Sequence, residues 1–559
     1  MKSIHLPWRV LIGAAVLLAS AGVPAWADRV ITHDNRVLTC KKVREKDGGY
    51  LVEFEHGTVV LKDKALVKAV EIEGDASEYI PQNDDERKKL ADGYVKYRGK
   101  WFSKNAYADE LKREAEASKK RADEIAAHTD WNNPWTKETK HFLLYSNTSP
   151  ELIEYYAELF EAYYDLMDNR FGIKPSPVLG RTKMSVKIFK SRKEFLKLSG
   201  ADSPSVLGFF NRATQELCLF HNYQEPSQTE WVGLHECTHL LTYLIDPQYF
   251  PQIWLNEAVA DYFGSAEISR DKKGKLVIKP GTLQNDRVLT VQNAIRDGND
   301  TKLDKLFDIA RDDFDGFQYA HAWSFIYFLN EAGPKTKKAF DKFFKDLYTQ
   351  AKGIEYESIA VPAQFDKSGT AKQASAQEIR RVVLQTLGVK DLATLEKDWK
   401  DFVAAVKMDT PDQRFKRAYF QVALGRILEV RGGRVDGAAT RKNAEQALAD
   451  IDFALQNGIA TARAYGTRAQ IYDFLDRDED AKADLQKAIE IEPLAARYRW
   501  ELGRKLYPGF AGLADEDGGT LSVEQNNAPK LAPDAKEQLG LAAELDPDTY
   551  RDLFRKLPQ

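Results

Sequence analysis

The chain has 559 residues, too many for one ordinary core, and its 43% hydrophobic and 30% charged content excludes a disordered chain. Lysine plus arginine (81) nearly balances aspartate plus glutamate (85), giving a net charge of −4 and no electrostatic basis for nucleic-acid binding. Three cysteines, Cys40, Cys218 and Cys237, are too few for a disulfide scaffold. They leave open one Cys218–Cys237 bridge or buried free thiols.

In chain order, residues 1–27 carry Lys2 and Arg9, the apolar run Val10–Val23 and the small residues Ala25 and Ala27. That pattern is a secretory signal with cleavage after Ala27, so an exported mature chain, periplasmic or secreted, is expected. No later run is long and apolar enough to span a membrane. Residues 28–78 alternate short apolar and polar runs between Asp-Asn, Asp-Gly-Gly and His-Gly turns, the pattern of a small SH3-like or Sm-like β-barrel. Residues 79–129 read as a charged helical linker with solvated faces.

Residues 130–408 read as an α+β domain. "HFLLYSN" (141–147), "KMSVKIFKS" (183–191) and "QELCLFHN" (215–222) are strands. Residues 149–172 form an amphipathic helix with a serine cap and a terminal glycine. Residues 411–506 read as helical repeats. "AYGTRAQIYDFLDRDEDAKADLQKAIEIEP" (464–493) has the tetratricopeptide pattern, with Ala469, Tyr472, Ala481, Leu485, Ala488 and Pro493 in register. A looser copy precedes it, "AYFQVALGRILEVRGG" for its first helix and "AEQALADIDFALQNG" for its second. Residues 507–559 read as a polar tail with one short helix at 533–545.

The chemistry concentrates in "LHECTHLLTYLIDPQYFPQIWLNEAVADYF" (234–263). His235 and His239 are four apart, so on a helix both imidazoles project from one face and reach one metal ion. Glu236 lies one step round, beside the ion, where it can deprotonate a water. Two histidines do not complete a catalytic zinc site, which normally has three protein ligands. Glu257 supplies a third, and Asp261, one turn further, can fix a ligand histidine's orientation.

H-E-x-x-H followed by N-E-x-x-x-D resembles the gluzincins, the thermolysin-like and aminopeptidase-N-like zinc metallopeptidases. The resemblance implies one Zn2+ per chain on His235, His239 and Glu257, with Glu236 as general base and Asp261 supporting a ligand. "YAHAWSFIYFLNEAG" (319–333) looks like the helix that carries the transition-state tyrosine of the aminopeptidase-N type, which puts Tyr319 in that role and His321 as its substitute. The resemblance also gives an edge strand before the zinc helix, here 215–222, to pair with extended substrate. The aminopeptidases' Gly-x-Met-Glu-Asn segment has no counterpart. "GFFNR" (208–212) lacks its glutamate, so the expectation is an endopeptidase. The expected partners are a peptide or protein substrate and a protein held by the repeats. The rival expectation is a catalytically inactive scaffold acting through those repeats.

Overall fold

The computed structural model describes residues 28–32, 37–71, 81, 83–97, 100–173, 183–201, 203, 206–223, 225–361, 369–423, 425, 427–431, 434–507 and 530–558. The signal-like segment 1–27 lies outside the described residues. Among these, no helix is long and apolar enough to cross a membrane.

The N-terminal module contains β1 (Asp28–Ile31), β2 (Val37–Cys40), β3 (Lys42–Lys46), β4 (Gly49–Glu53), β5 (Thr58–Leu61) and β6 (Ala69–Glu71). They form two three-stranded antiparallel sheets, ordered β2-β1-β6 and β3-β4-β5. The β3–β4 turn holds Asp47 and Gly48 at φ 49° and 82°, the paired left-handed residues a tight hairpin requires. The next segment, expected to be helical, contains α1 (Asp84–Ala91) and α2 (Lys104–His128) with a hairpin between them, β7 (Tyr94–Tyr97) and β8 (Lys100–Ser103). Tyr94, Val95, Tyr97, Trp101 and Phe102 favour the pleated state, and charge count alone hides that.

The central region begins with β9 (Trp135–Glu138), β10 (Phe142–Ser146), α3 (Pro150–Phe171), β11 (Met184–Phe189), α4 (Arg192–Leu198), β12 (Gly208–Asn211) and β13 (Glu216–Phe220). Its five-stranded sheet is ordered β12-β13-β11-β10-β9, with β13, β11 and β10 parallel and both outer strands antiparallel. Ser149 caps α3 through the Leu152 amide, and Gly172 ends it at φ 69°, as the sequence signals require. The strand expected at the edge, 215–222, is instead interior. The edge is β12, whose four residues "GFFN" are too short to show a strand period.

Next come α5 (Pro226–Ile245), α6 (Ile253–Gly264), the hairpin β14 (Ala266–Arg270) and β15 (Leu276–Pro280), α7 (Asn285–Asp297), α8 (Leu303–Phe307), α9 (Gly316–Glu331) and α10 (Pro334–Tyr348). The hairpin β16 (Glu357–Ala360) and β17 (Thr370–Gln373), then α11 (Ala376–Leu387) and α12 (Leu392–Ala405), close the region. One core joins sheet and helices, with Phe142, Phe160, Val186, Leu219, Leu240, Trp254, Phe325 and Trp399 fully buried.

The helical C-terminal region contains α13 (Pro411–Ala423), the hairpin β18 (Val430–Arg431) and β19 (Arg434–Val435), α14 (Gly437–Gln456), α15 (Ala462–Asp473), α16 (Asp478–Ile491), α17 (Ala496–Leu506), α18 (Pro533–Leu545) and α19 (Pro547–Arg555). The first loose helix therefore starts seven residues before Ala418 and gives way to a hairpin at Val430. Ala462, Ala469, Ala481 and Ala488 are buried and let α15 and α16 approach closely. The helix expected in a polar tail, α18, is packed in the structure. It pairs with α17, and its Ala535, Leu539 and Leu541 share one core with Val30, Val52, Phe54 and Leu61 of the N-terminal module. The Glu55 and His56 amides both donate to Glu544 at 2.9 Å.

Candidate metal centre

Helix α5 lies against the sheet through β12 and β13 and against α3. Its Leu234, Cys237, Leu240 and Leu241 are fully buried. Tyr163 of α3 hydrogen-bonds Thr238 at 2.6 Å, which fixes the helix's rotation. The His235 and His239 side chains are then left partly open on the facing side. Asp246-Pro247 ends α5, and the chain returns as α6, whose Trp254 is buried against Phe307.

The two helices cross at Gly264. A Cβ there would lie 2.9 Å from the His235 amide nitrogen and 3.0 Å from its Cα, so only glycine permits this approach. The crossing brings Glu257 to the histidines. Its Oε2 is 3.5 Å from His235 Nε2 and 3.7 Å from His239 Nε2, and the two Nε2 atoms are 3.2 Å apart. Three ligand atoms within 4.8 Å of one another thus come from two helices. Asp261 is 1% exposed, and its Oδ1 sits 3.0 Å from His235 Nδ1. That contact sets Nδ1 on the carboxylate side and leaves Nε2 facing the cluster.

Electrostatics follow from this packing. Burial opposes charge on His235, but Asp261 and Glu257 override it and hold its pKa well above the ordinary histidine value. Burial alone would raise Glu257. His239 and His235 reverse that and hold its carboxyl well below the usual range. Burial raises Glu236 against the pull of His235 and His239. Glu236 Oε2 also accepts the Phe210 amide at 2.9 Å, so the carboxylate lies beside the edge strand β12.

Tyr319, in the first turn of α9, donates its phenol to Glu257 Oε2 at 3.0 Å. Burial and then the Glu257 charge push the phenol's pKa up, so it stays protonated and acts only as a donor. His321 is not part of this group. It is fully buried, its Nδ1 contacts the Phe317 carbonyl at 2.8 Å, and its ring packs near Trp399. Two positions from Tyr319 on a helix, it faces another side. His221, just past β13, is also buried and bonded to Tyr156 at 2.7 Å.

Arg287 of α7 was not apparent in the sequence. Its guanidinium pairs with Asp261 Oδ2 at 2.5 Å and lies 5.4 Å from the centre of the Tyr319 ring. It therefore ties the carboxylate behind His235 to the phenol beside Glu257. The one available signal was indirect, since a buried aspartate needs a cationic partner. All three cysteines are free and buried, which settles the bridge question in favour of thiols.

The donor set fits a zinc ion by composition, with two imidazoles, one carboxylate and a carboxylate behind one histidine. Among known families, the tetratricopeptide repeat matches residues 462–493, which span α15 and α16. No curated protein matches the chain.

Proposed function

We propose that the chain is an exported zinc metallopeptidase of the gluzincin type that acts as an endopeptidase. The supporting observation is the relation between Glu236 and the His235–His239–Glu257 cluster. A base lies beside three convergent ligands and under an edge strand. In this reading His235, His239 and Glu257 hold one zinc. Bound there, zinc supplies Lewis acidity that polarises a carbonyl and lowers the pKa of a water.

The chain's own residues do the rest. Glu236 takes the proton of the attacking water and delivers it to the amine that leaves as the peptide C–N bond breaks. Tyr319 turns its phenol from Glu257 to the oxyanion that develops on the carbonyl oxygen. Asp261 and Arg287 keep His235 in one tautomer. The outer strand β12, whose Phe210 amide is held by Glu236, offers its remaining outward backbone groups to an extended peptide. The N-terminal module keeps its SH3-like reading here, as a small accessory domain of the enzyme.

The test starts with zinc counted per chain by elemental mass spectrometry on chelator-free protein, wild type beside Glu257→Ala. One zinc in the wild type, with loss in the variant, is expected. Hydrolysis of a quenched fluorescent peptide library should fall about a thousandfold in Glu236→Gln while zinc stays bound. Hydrolysis that survives Glu236→Gln, or a wild type that takes up no zinc, sinks the proposal. It would leave the scaffold reading, which the repeat match at 462–493 favours.

A further inference from the structure

On α5 the part-exposed residues Gln228, Trp231, His235 and His239 recur at three- and four-residue spacing, while Thr229, Val232, Leu234, Cys237 and Thr238 between them are buried. They form one continuous strip along the helix. The Trp231 ring lies 5.9 Å from that of His235, on the same face. Followed toward the helix start, the strip leads from the metal cluster to Glu225, the residue before Pro226.

Glu225 is where the repeat region meets this helix. Arg463 of α15 pairs with its Oε1 at 2.8 Å, and Arg497 of α17 approaches Oε2 at 3.8 Å. Tyr419 of α13 donates to Oε2 at 3.2 Å. The guanidinium of Arg463 lies 5.6 Å from the Tyr419 ring centre, and that of Arg497 lies 4.6 Å from the Tyr498 ring centre. Three helices of the repeat region thus build one carboxylate receptor with aromatic walls. It is partly open, with Glu225, Arg463 and Arg497 side chains 18%, 33% and 24% exposed.

We propose that this receptor is a substrate subsite for acidic side chains, and that Glu225 holds it until a substrate carboxylate replaces it. The exchange gives Arg463 and Arg497 one carboxylate for another and releases Glu225, itself partly exposed, to water. A partly exposed ion pair is also weak enough to be displaced. His235 lies ten residues beyond Glu225, about 15 Å along the helix. An extended peptide covers that span in about four to five residues, so the acidic residue sits that far from the scissile bond. This gives the repeats a task beside the metal cluster, selecting which polypeptide binds along α5. It rests on the peptidase reading of that cluster, but its test needs no hydrolysis.

The measurement is peptide binding to full-length protein carrying Glu236→Gln, followed by fluorescence anisotropy. The probes are fluorescein-labelled apolar peptides with a short glutamate run on either the N- or the C-terminal side of the centre, and the same peptides with glutamine. One glutamate probe should bind about tenfold tighter than its glutamine twin, and the gain should fade as salt rises. Arg463→Ala with Arg497→Ala should erase the preference, and the paired lysine variant should keep part of it. Glu225→Gln, which removes the internal competitor, should strengthen binding of the glutamate probe. Equal affinity for glutamate and glutamine probes overturns the inference. So does a preference that survives the double alanine variant, or a Glu225→Gln variant that binds no tighter. A wild type that hydrolyses nothing yet shows the preference would count against the peptidase reading alone.

Discussion

Two part-buried polar clusters, one in the repeat region and one between α5 and α6, handle charge in opposite ways. Arg468 of α15 sends Nε and Nη2 to Asp484 at 2.6 and 2.8 Å and Nη1 to Asp452 at 2.7 Å. Each donor meets an acceptor, and the cluster closes on itself. Between α5 and α6, His235, His239 and Glu257 instead aim their ligand atoms at one another, with Glu236 alongside. Both clusters join neighbouring helices and both are hydrogen-bonded at their edges. Only the second turns ligand atoms of three side chains toward a common point, and that convergence, more than burial or charge, is what makes it a candidate site.

Substitutions can break that contrast or sharpen it. Tyr319→Phe removes a donor aimed at the convergent cluster. It should lower kcat about a hundredfold, with zinc content and KM kept. An unchanged kcat would reduce Tyr319 to a packing residue. Arg468→Ala strips the closed cluster and leaves Asp484 buried without its fork. Thermal or urea unfolding should show a loss of about 2 kcal/mol, with zinc content and kcat/KM untouched. A fall in zinc affinity there would erase the distinction between the two clusters.

Asp261→Asn weakens the support behind His235 and the ion pair with Arg287, and chelator competition should show zinc held about tenfold less tightly. If affinity holds, Arg287 and Asp261 are structural. The smallest effect expected is none. Burial pushes the Cys218 thiol up to about 12, and burial with the Asp28 and Glu544 charges does the same for Cys40. Burial also holds Cys237 well above its ordinary value. Iodoacetamide near pH 8 should therefore label none of them in the native chain and all of them in urea, as mass spectrometry would count. Labelled native protein would show that these cores open.

What the sequence disclosed about this site was local. Four-residue spacing places His235 and His239 on one face, and a second helix carrying Glu257 and Asp261 follows at a length that lets it return. Tyr319 was singled out by the resemblance of its helix, and it lies in the first turn of α9. Arg287 was not, because it reaches Asp261 from a helix whose sequence shows only an amphipathic stripe. The edge strand β12 was hidden by its four-residue length, and 215–222 took its place because a longer apolar run looks more like a strand. His321, two residues from Tyr319 and so on another face, could be only a substitute for it, and the structure turns it to the Phe317 carbonyl. The repeat at 462–493 was legible from the placing of its small, aromatic and breaker residues. The pairing of α17 with α18 was not, because residues 507–532 separate them in the chain.

The shared core of the N-terminal module and α18 has a consequence for the order of events during synthesis. Val30, Val52 and Phe54 leave the ribosome early, yet the leucines that cover them, Leu539 and Leu541, are made some five hundred residues later. At about ten residues per second the early strands wait most of a minute for their cover. Chaperones that hold exposed strands should therefore engage this chain at its beginning and release it only when its end arrives.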